Sequence, residues 1–223
     1  MGTIRFVPDY FILAFSFVFP IAGFAHQAWH YDNYQVVDHT NFRDFPVFHQ
    51  QLDADNPDIP LLNATIFFLA NEQRVQHNMP PLGYHERLEA AAYHHARAMA
   101  TQGFFSHTNP GDRRRESTSD RAKRAGIANP YIAENIAMNY VRREDTYLSM
   151  AEKFITQWMN SPPHRANILA DNGRQMAAGT YSTPGDPEKI YATQKFQWFH
   201  PLEESRSITD HLPAMLPDAR RLY

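Results

Sequence analysis

The stretch QMAAGTYSTPGDPEKIYATQKF, residues 175–196, decides the fold class. Two β-prone runs, 175–182 and 189–196, flank Pro184-Gly185-Asp186-Pro187. A cluster of turn formers between two such runs predicts an antiparallel hairpin. What precedes it has a different period. Leu62, Ile66, Leu69 and Ala70 recur at helical spacing after Asp58-Ile59-Pro60, where Asp58 can cap and Pro60 sits harmlessly in the first turn. Pro80-Pro81 is the expected stop. A second helix is predicted over about 85–102, with Leu88, Ala91, Ala92, Ala96 and Met99 on one side and Gly103 as its C-terminal residue. Its small residues would let it sit close to a neighbour. Ser119-Asp120 should begin a short third helix ending at Gly126. A fourth is expected over 145–159, burying Met150, Phe154 and Trp158, with Pro162-Pro163 ending it. Residues 131–138 read as a third strand. Helices followed by an antiparallel hairpin imply an α+β layered domain.

Outside that region the character changes. The chain has 223 residues, no cysteine and a net charge of −3. Arg5 followed by an apolar run from Tyr10, with small Gly23 and Ala25, reads as a leader over 1–25 cleaved after Ala25. The alternative is an N-terminal membrane anchor. The run holds Pro20 and falls short of the roughly 20 apolar residues that span a bilayer, so no membrane span is expected in the mature chain. The expected location is therefore secreted or periplasmic. A mildly acidic chain argues against nucleic acid as partner, since phosphate binding needs a clustered basic surface. The dense basic run 113–124 is interrupted by Glu116 and Asp120 and reads as a solvated face. Residues 26–58 carry Trp29, Tyr31, Tyr34, Phe42, Phe45 and Phe48 without a period. They are expected to lie against the domain in extended form, or to meet another envelope component. Residues 59–196 form the domain, and 197–223 a tail whose start, with Trp198, Phe199 and Pro201, should pack on it.

Three side chains stand where they can face a cleft. His107 follows the second helix in GFFSHTNP, and His164 follows the proline pair. Glu134 sits among apolar neighbours in IAENIA, where a carboxylate must find a partner or raise its pKa. Two imidazoles and a carboxylate can hold a divalent metal with one position open for water, or act as an acid–base cluster. Local pattern alone does not bring them together. His95 borders the apolar stripe of the second helix and His94 points away, so packing and solvent account for both. His26, as a mature N-terminus, would bind copper only with a further histidine.

The ordered motifs LANEQRVQHNMPPL, LEAAAYHHARAMA, FFSH, AENIA, W-x-x-S-P-x-HRANIL and YATQKF resemble the CAP superfamily of cysteine-rich secretory, antigen 5 and pathogenesis-related proteins. The similarity is strongest to the bacterial SCP-like branch. The resemblance covers about 60–196 and implies an α-β-α sandwich with about four helices around a small antiparallel sheet. It implies a cleft lined by His107, Glu134 and His164, with Ser161 where eukaryotic members carry a second glutamate. Glu152, nine residues before Ser161, is on the opposite side of the helix and does not replace it. The resemblance further implies sterol or lipid binding, divalent-metal binding (zinc, with His107 and His164 as ligands) or peptidase-like hydrolysis. A binding module for a lipid, glycan or peptide is the favoured expectation, and the protein is more a binder than an enzyme. In the alternative, a metal-dependent hydrolase, Glu134 is either ligand or general base, and each choice leaves a part missing. A Ser161 or Ser106 nucleophile is a third option without a strained elbow to support it.

Overall fold

The computed structural model describes residues 29–183 and 186–203, with side chains at 186–188 left out. The expected leader, His26, the turn pair Pro184-Gly185 and the tail beyond residue 203 lie outside the described residues. Helix α1 is Ile59–Gln76, followed by strand β1 (Gly83–Tyr84), α2 (Glu86–Gln102), α3 (Thr118–Arg124), β2 (Ile132–Tyr140), α4 (Tyr147–Met159), α5 (Pro162–Ile168), β3 (Gly173–Thr183) and β4 (Asp186–Trp198). The sheet order is β1-β3-β4-β2. The β3–β4 hairpin and the β2–β4 pair are antiparallel, and β1 adds two parallel residues to the far edge. Among the described residues no helix is long and apolar enough to cross a membrane.

Alternation along the strands sorts the layers. Met176 and Ala178 of β3, with Ile190, Ala192 and Phe196 of β4, join one apolar cluster with α1 and α4. Ala177, on the opposite face, packs with Leu88 of α2 and Ala122 of α3. The result is the expected α-β-α sandwich, with five α-helices among the described residues and a sheet that is mixed. On the α4 side, Met150, Phe154 and Trp158 are fully buried as the four-residue spacing requires. Each such side chain is worth about 1.5–3 kcal/mol of transfer free energy.

Two proline pairs act differently from expectation. Pro80-Pro81 do not end α1, because the helix has already closed at His77 and Asn78 takes a left-handed turn with φ 59°. Pro162-Pro163 do not merely stop a helix. They occupy the first turn of α5, where a missing N–H costs nothing, and so place His164 on a helix. Other ends follow from their caps. Asp58 accepts the Leu61 N–H at 3.0 Å, and Gly103 has φ 72°. α3 starts at Thr118, one residue earlier than expected, because Ser117 and Asp120 form a reciprocal capping box. Thr146, not Asp145, caps α4 in the same way.

Residues 29–58 pack against the domain, but not as an extended strap. They wind through three 3₁₀ turns at Tyr31–Gln35, Phe42–Asp44 and Pro46–His49. α1 is apolar nearly all round, and a helix of that kind must be covered on every side. Trp29, Phe42 and Phe48 supply the cover, with ring centroids 5.8, 5.6 and 5.9 Å from Phe68. Tyr31 also reaches the buried Glu89 carboxylate, which Asn63 and Tyr84 hold at 2.9 and 2.8 Å. Burial outweighs those bonds and pushes Glu89 up to about 7. At the other end Trp198 packs on the main core, Phe199 is half exposed, and Leu202 returns to bond Gln175 at 2.5 Å.

α2 lies unusually close to the sheet. A Cβ added to Gly179 of β3 would stand 2.1 Å from the Tyr93 nitrogen and 2.6 Å from the Ala92 carbonyl carbon. Both are backbone atoms that cannot swing aside, so only glycine fits. Gly179→Ala is expected to lower stability by about 3 kcal/mol or more, or to prevent folding. Urea denaturation followed by circular dichroism measures it; a loss under about 1 kcal/mol would mean that α2 can lift without cost.

Candidate functional site

Glu134 is the middle of the site. Its side chain, on β2, is only 2% exposed. Beside it on β4 is Lys195, its cross-strand partner in the antiparallel register, also fully buried. Lys195 donates to Glu134 Oε2 and to Thr118 Oγ1, the latter at 2.7 Å. Arg121 of α3 reaches over the sheet and donates to both carboxylate oxygens at 2.9 Å. Thr118 donates to Oε2 at 3.2 Å, and His107 Nδ1 lies 2.9 Å from Oε1. Both oxygens are therefore fully engaged.

The electrostatics follow from these contacts. Burial alone would raise the Glu134 pKa; Lys195, the His107 hydrogen bond and Arg121 together outweigh it and hold the carboxyl well below its ordinary range. Burial lowers Lys195 to about 8, with Glu134 opposing. The pair is an ionised carboxylate against a protonated amine at neutral pH.

The imidazoles are placed by this cluster. The loop after α2 carries His107 and is pinned on both sides of it. Arg121 Nη2 donates to the His107 carbonyl at 2.8 Å, and His95 Nε2 donates to the Ser106 carbonyl at 2.9 Å. His95 is fully buried, and its Nε2 is 3.7 Å from Glu134 Oε1. Burial takes its pKa down to about 4, so it stays neutral. His95 is packed in the interior, as expected, and from there it also braces the site through the Ser106 carbonyl. The His107 ring itself is 54% exposed, its Nδ1 turned to Glu134 and the rest open to solvent.

His164 comes from the other side. Asn135, next to Glu134 on β2, donates to the His164 carbonyl at 3.1 Å, while Asn167 donates to Asn135 Oδ1 at 2.9 Å. These bonds fix α5 against β2. His164 Nδ1 is buried and has no partner among the described residues. Burial lowers the His164 pKa, and the nearby His107 charge lowers it further, so the two rings share one field. Ser161 is the N-terminal cap position of α5, yet its hydroxyl caps nothing. The His95 bond goes to the Ser106 carbonyl and not to its hydroxyl, which accepts locally from the Thr108 N–H at 3.1 Å. Glu152 is spent elsewhere, 2.9 Å from Arg43.

Three members of the site escaped the sequence: His95, Arg121 and Lys195. Arg121 was hidden in the basic run. Lys195 sits in a strand whose register with β2 no local pattern reveals. The one usable signal was Glu134 itself, an acid among apolar residues that required a cation.

Removing the acid would strand two buried cations. Glu134→Gln is expected to cost about 3–5 kcal/mol at neutral pH, and Glu134→Gln with Lys195→Met to recover part of that loss. The sign with pH is set by the depressed pKa: Glu134 contributes stability above its unfolded value near 4.5 and loses it as pH falls through the folded value. The melting-temperature gap between wild type and Glu134→Gln should therefore narrow below about pH 4.5. A gap that widens on acidification would contradict the assignment.

Against known proteins, residues 67–196 match the family model of the cysteine-rich secretory protein family, CAP. The uncharacterised protein YkwD of Bacillus subtilis (strain 168) is 30% identical over 111 residues, 50% of this chain and 39% of YkwD. The structure of an extracellular SCP-domain protein from Bacillus anthracis (strain Ames) superposes with a TM-score of 0.52 at 26% identity. That match takes in 65% of this chain and 42% of the other. An outer surface protein of Borrelia burgdorferi gives 0.51 over 67% of this chain and 98% of its own, but at 15% identity the likeness is one of fold. The matched region spans less than half the length of each Bacillus relative.

Proposed function

The chain belongs to the cysteine-rich secretory protein (CAP) family, and from that premise we propose a binding domain that acts outside the cytoplasm, as a secreted or surface protein. Its cleft imidazoles, His107 and His164, take a polar group of a lipid, glycan or peptide ligand. The observation that carries this reading is the full occupancy of Glu134 by Arg121, Lys195, Thr118 and His107. An ionised carboxylate with a depressed pKa and no open lone pair is a poor general base. What faces the solvent is an imidazole edge on His107; His164 adds a buried Nδ1 without a partner among the described residues. Both are hydrogen-bonding groups awaiting a partner.

The donor set does not fit a catalytic divalent metal. Two imidazoles fall short of the three protein ligands such a zinc takes, and among the described residues no group of three or more acids and histidines gathers around one point. Arg121 and Lys195 beside a single carboxylate also leave the neighbourhood positive, which disfavours a cation. The hydrolase reading, which needs Glu134 as ligand or base, loses that residue to the ion cluster. Ser161 in place of a second acid points the same way.

His107→Ala and His164→Ala are each expected to weaken binding about tenfold, roughly the worth of one hydrogen bond, while far-ultraviolet spectra stay native. Imidazole shifts in NMR titrations with phosphatidylglycerol vesicles, disaccharide-peptide fragments and short peptides read it. Saturable zinc binding lost in either variant, or turnover of any of these probes lost in Glu134→Gln, would replace binding with metal chemistry or catalysis.

A further inference from the structure

The basic run 113–124 folds around a second feature, separate from the cleft. A small, largely closed cavity of about 20 Å3 is lined by Ala90, His94, Arg115, Arg121, Arg124 and Ala125. That volume admits one water-sized sphere. Arg121 lines it and is 2% exposed. Both Nη atoms of this side chain are fully used. Nη1 donates to the Arg115 and Glu116 carbonyls at 3.0 and 2.9 Å, and Nη2 to the His107 carbonyl and Glu134. The fifth donor, Nε–H, is buried with no partner among the described residues. Leaving such a donor unsatisfied costs about 1–3 kcal/mol, so something is expected to fill the place.

The choice is between a water and an anion, and charge separates them. Arg115 is paired with Asp112 at 2.9 Å, and Arg121 shares Glu134 with Lys195. Arg124 has no acidic partner among the described residues. Three arginines and no carboxylate line the cavity. We propose that this cavity is an anion site, which holds one monatomic halide, chloride in physiological media, on the Nε–H of Arg121. The methyl walls of Ala90 and Ala125 leave no room for phosphate or sulfate, with five heavy atoms each. Lying behind Arg121, the anion has a structural role. It satisfies the last donor of the residue that grips Glu134 and the His107 carbonyl.

The test uses the full chain in sodium chloride, bromide or gluconate at one ionic strength, with melting temperature as readout, and a crystal grown in bromide. Chloride and bromide should raise the melting temperature saturably above gluconate, as expected for a ligand of the native state. Arg124→Ala, an exposed position that leaves the core untouched, should shift the chloride midpoint about tenfold upward. Bromide should give an anomalous peak within hydrogen-bond distance of Arg121 Nε. Equal melting curves in all three salts, a chloride effect unchanged in Arg124→Ala, or a cavity peak without anomalous signal would each overturn the proposal.

Discussion

The site and much of the sheet's outer region depend on one buried charge. Glu134 on β2 cannot be ionised alone inside the protein, and the fold answers with Lys195 from β4 and Arg121 from α3. Those two residues come from different layers. The ion cluster therefore stitches β2 to β4 and α3 to the sheet, while Arg121 and His95 hold the carbonyls of the loop that presents His107. Energetically such a cluster is a demanding way to build a core, since apolar residues of similar volume often serve as well. Here it fixes the position of an exposed imidazole, which apolar packing would leave less defined.

The opposite side of the cleft is built from hydrogen bonds to backbone carbonyls. β2 is an edge strand, and its outward carbonyls are covered rather than left for another chain. Glu134 O accepts from Asn167, Ile136 O from Trp158 and Tyr140 O from Lys153. Covered edges resist pairing with a foreign strand. The Asn167 bonds bring α5, and with it His164, to the edge beside Glu134. The two imidazoles thus arrive by independent routes, one pinned by charge and one by amide pairs. Behind them the Gly179 contact draws α2 onto the sheet closely enough for His95 to reach the cluster.

What could be read in the sequence follows the range of the forces involved. The hairpin, the caps at Asp58 and Gly103, and the buried stripe of α4 are local, set by residues within a turn or two. The family resemblance reached further and named His107, Glu134 and His164 as neighbours of one cleft. It could not say what engages Glu134, because Lys195 and Arg121 reach it only through strand register and the folding of α3 over the sheet. The proline pair at 162–163 was ambiguous for a local reason: proline ends one helix and begins another with equal ease. The two-residue β1 was too short to carry any period. The aromatic run 29–48 declared that it would lie against the domain, but not its 3₁₀ turns.

Everything turns on the charge state of Glu134, which is directly observable. A titration of its side-chain carboxyl carbon by NMR, in protein labelled at glutamate, follows that state in the intact fold. Glu134 should stay ionised at every pH where the protein remains folded, with no inflection in the ordinary carboxylate range. An inflection at or above about pH 4.5, the usual range for an unperturbed glutamate, would contradict the account and return Glu134 to the role of a proton-transferring group.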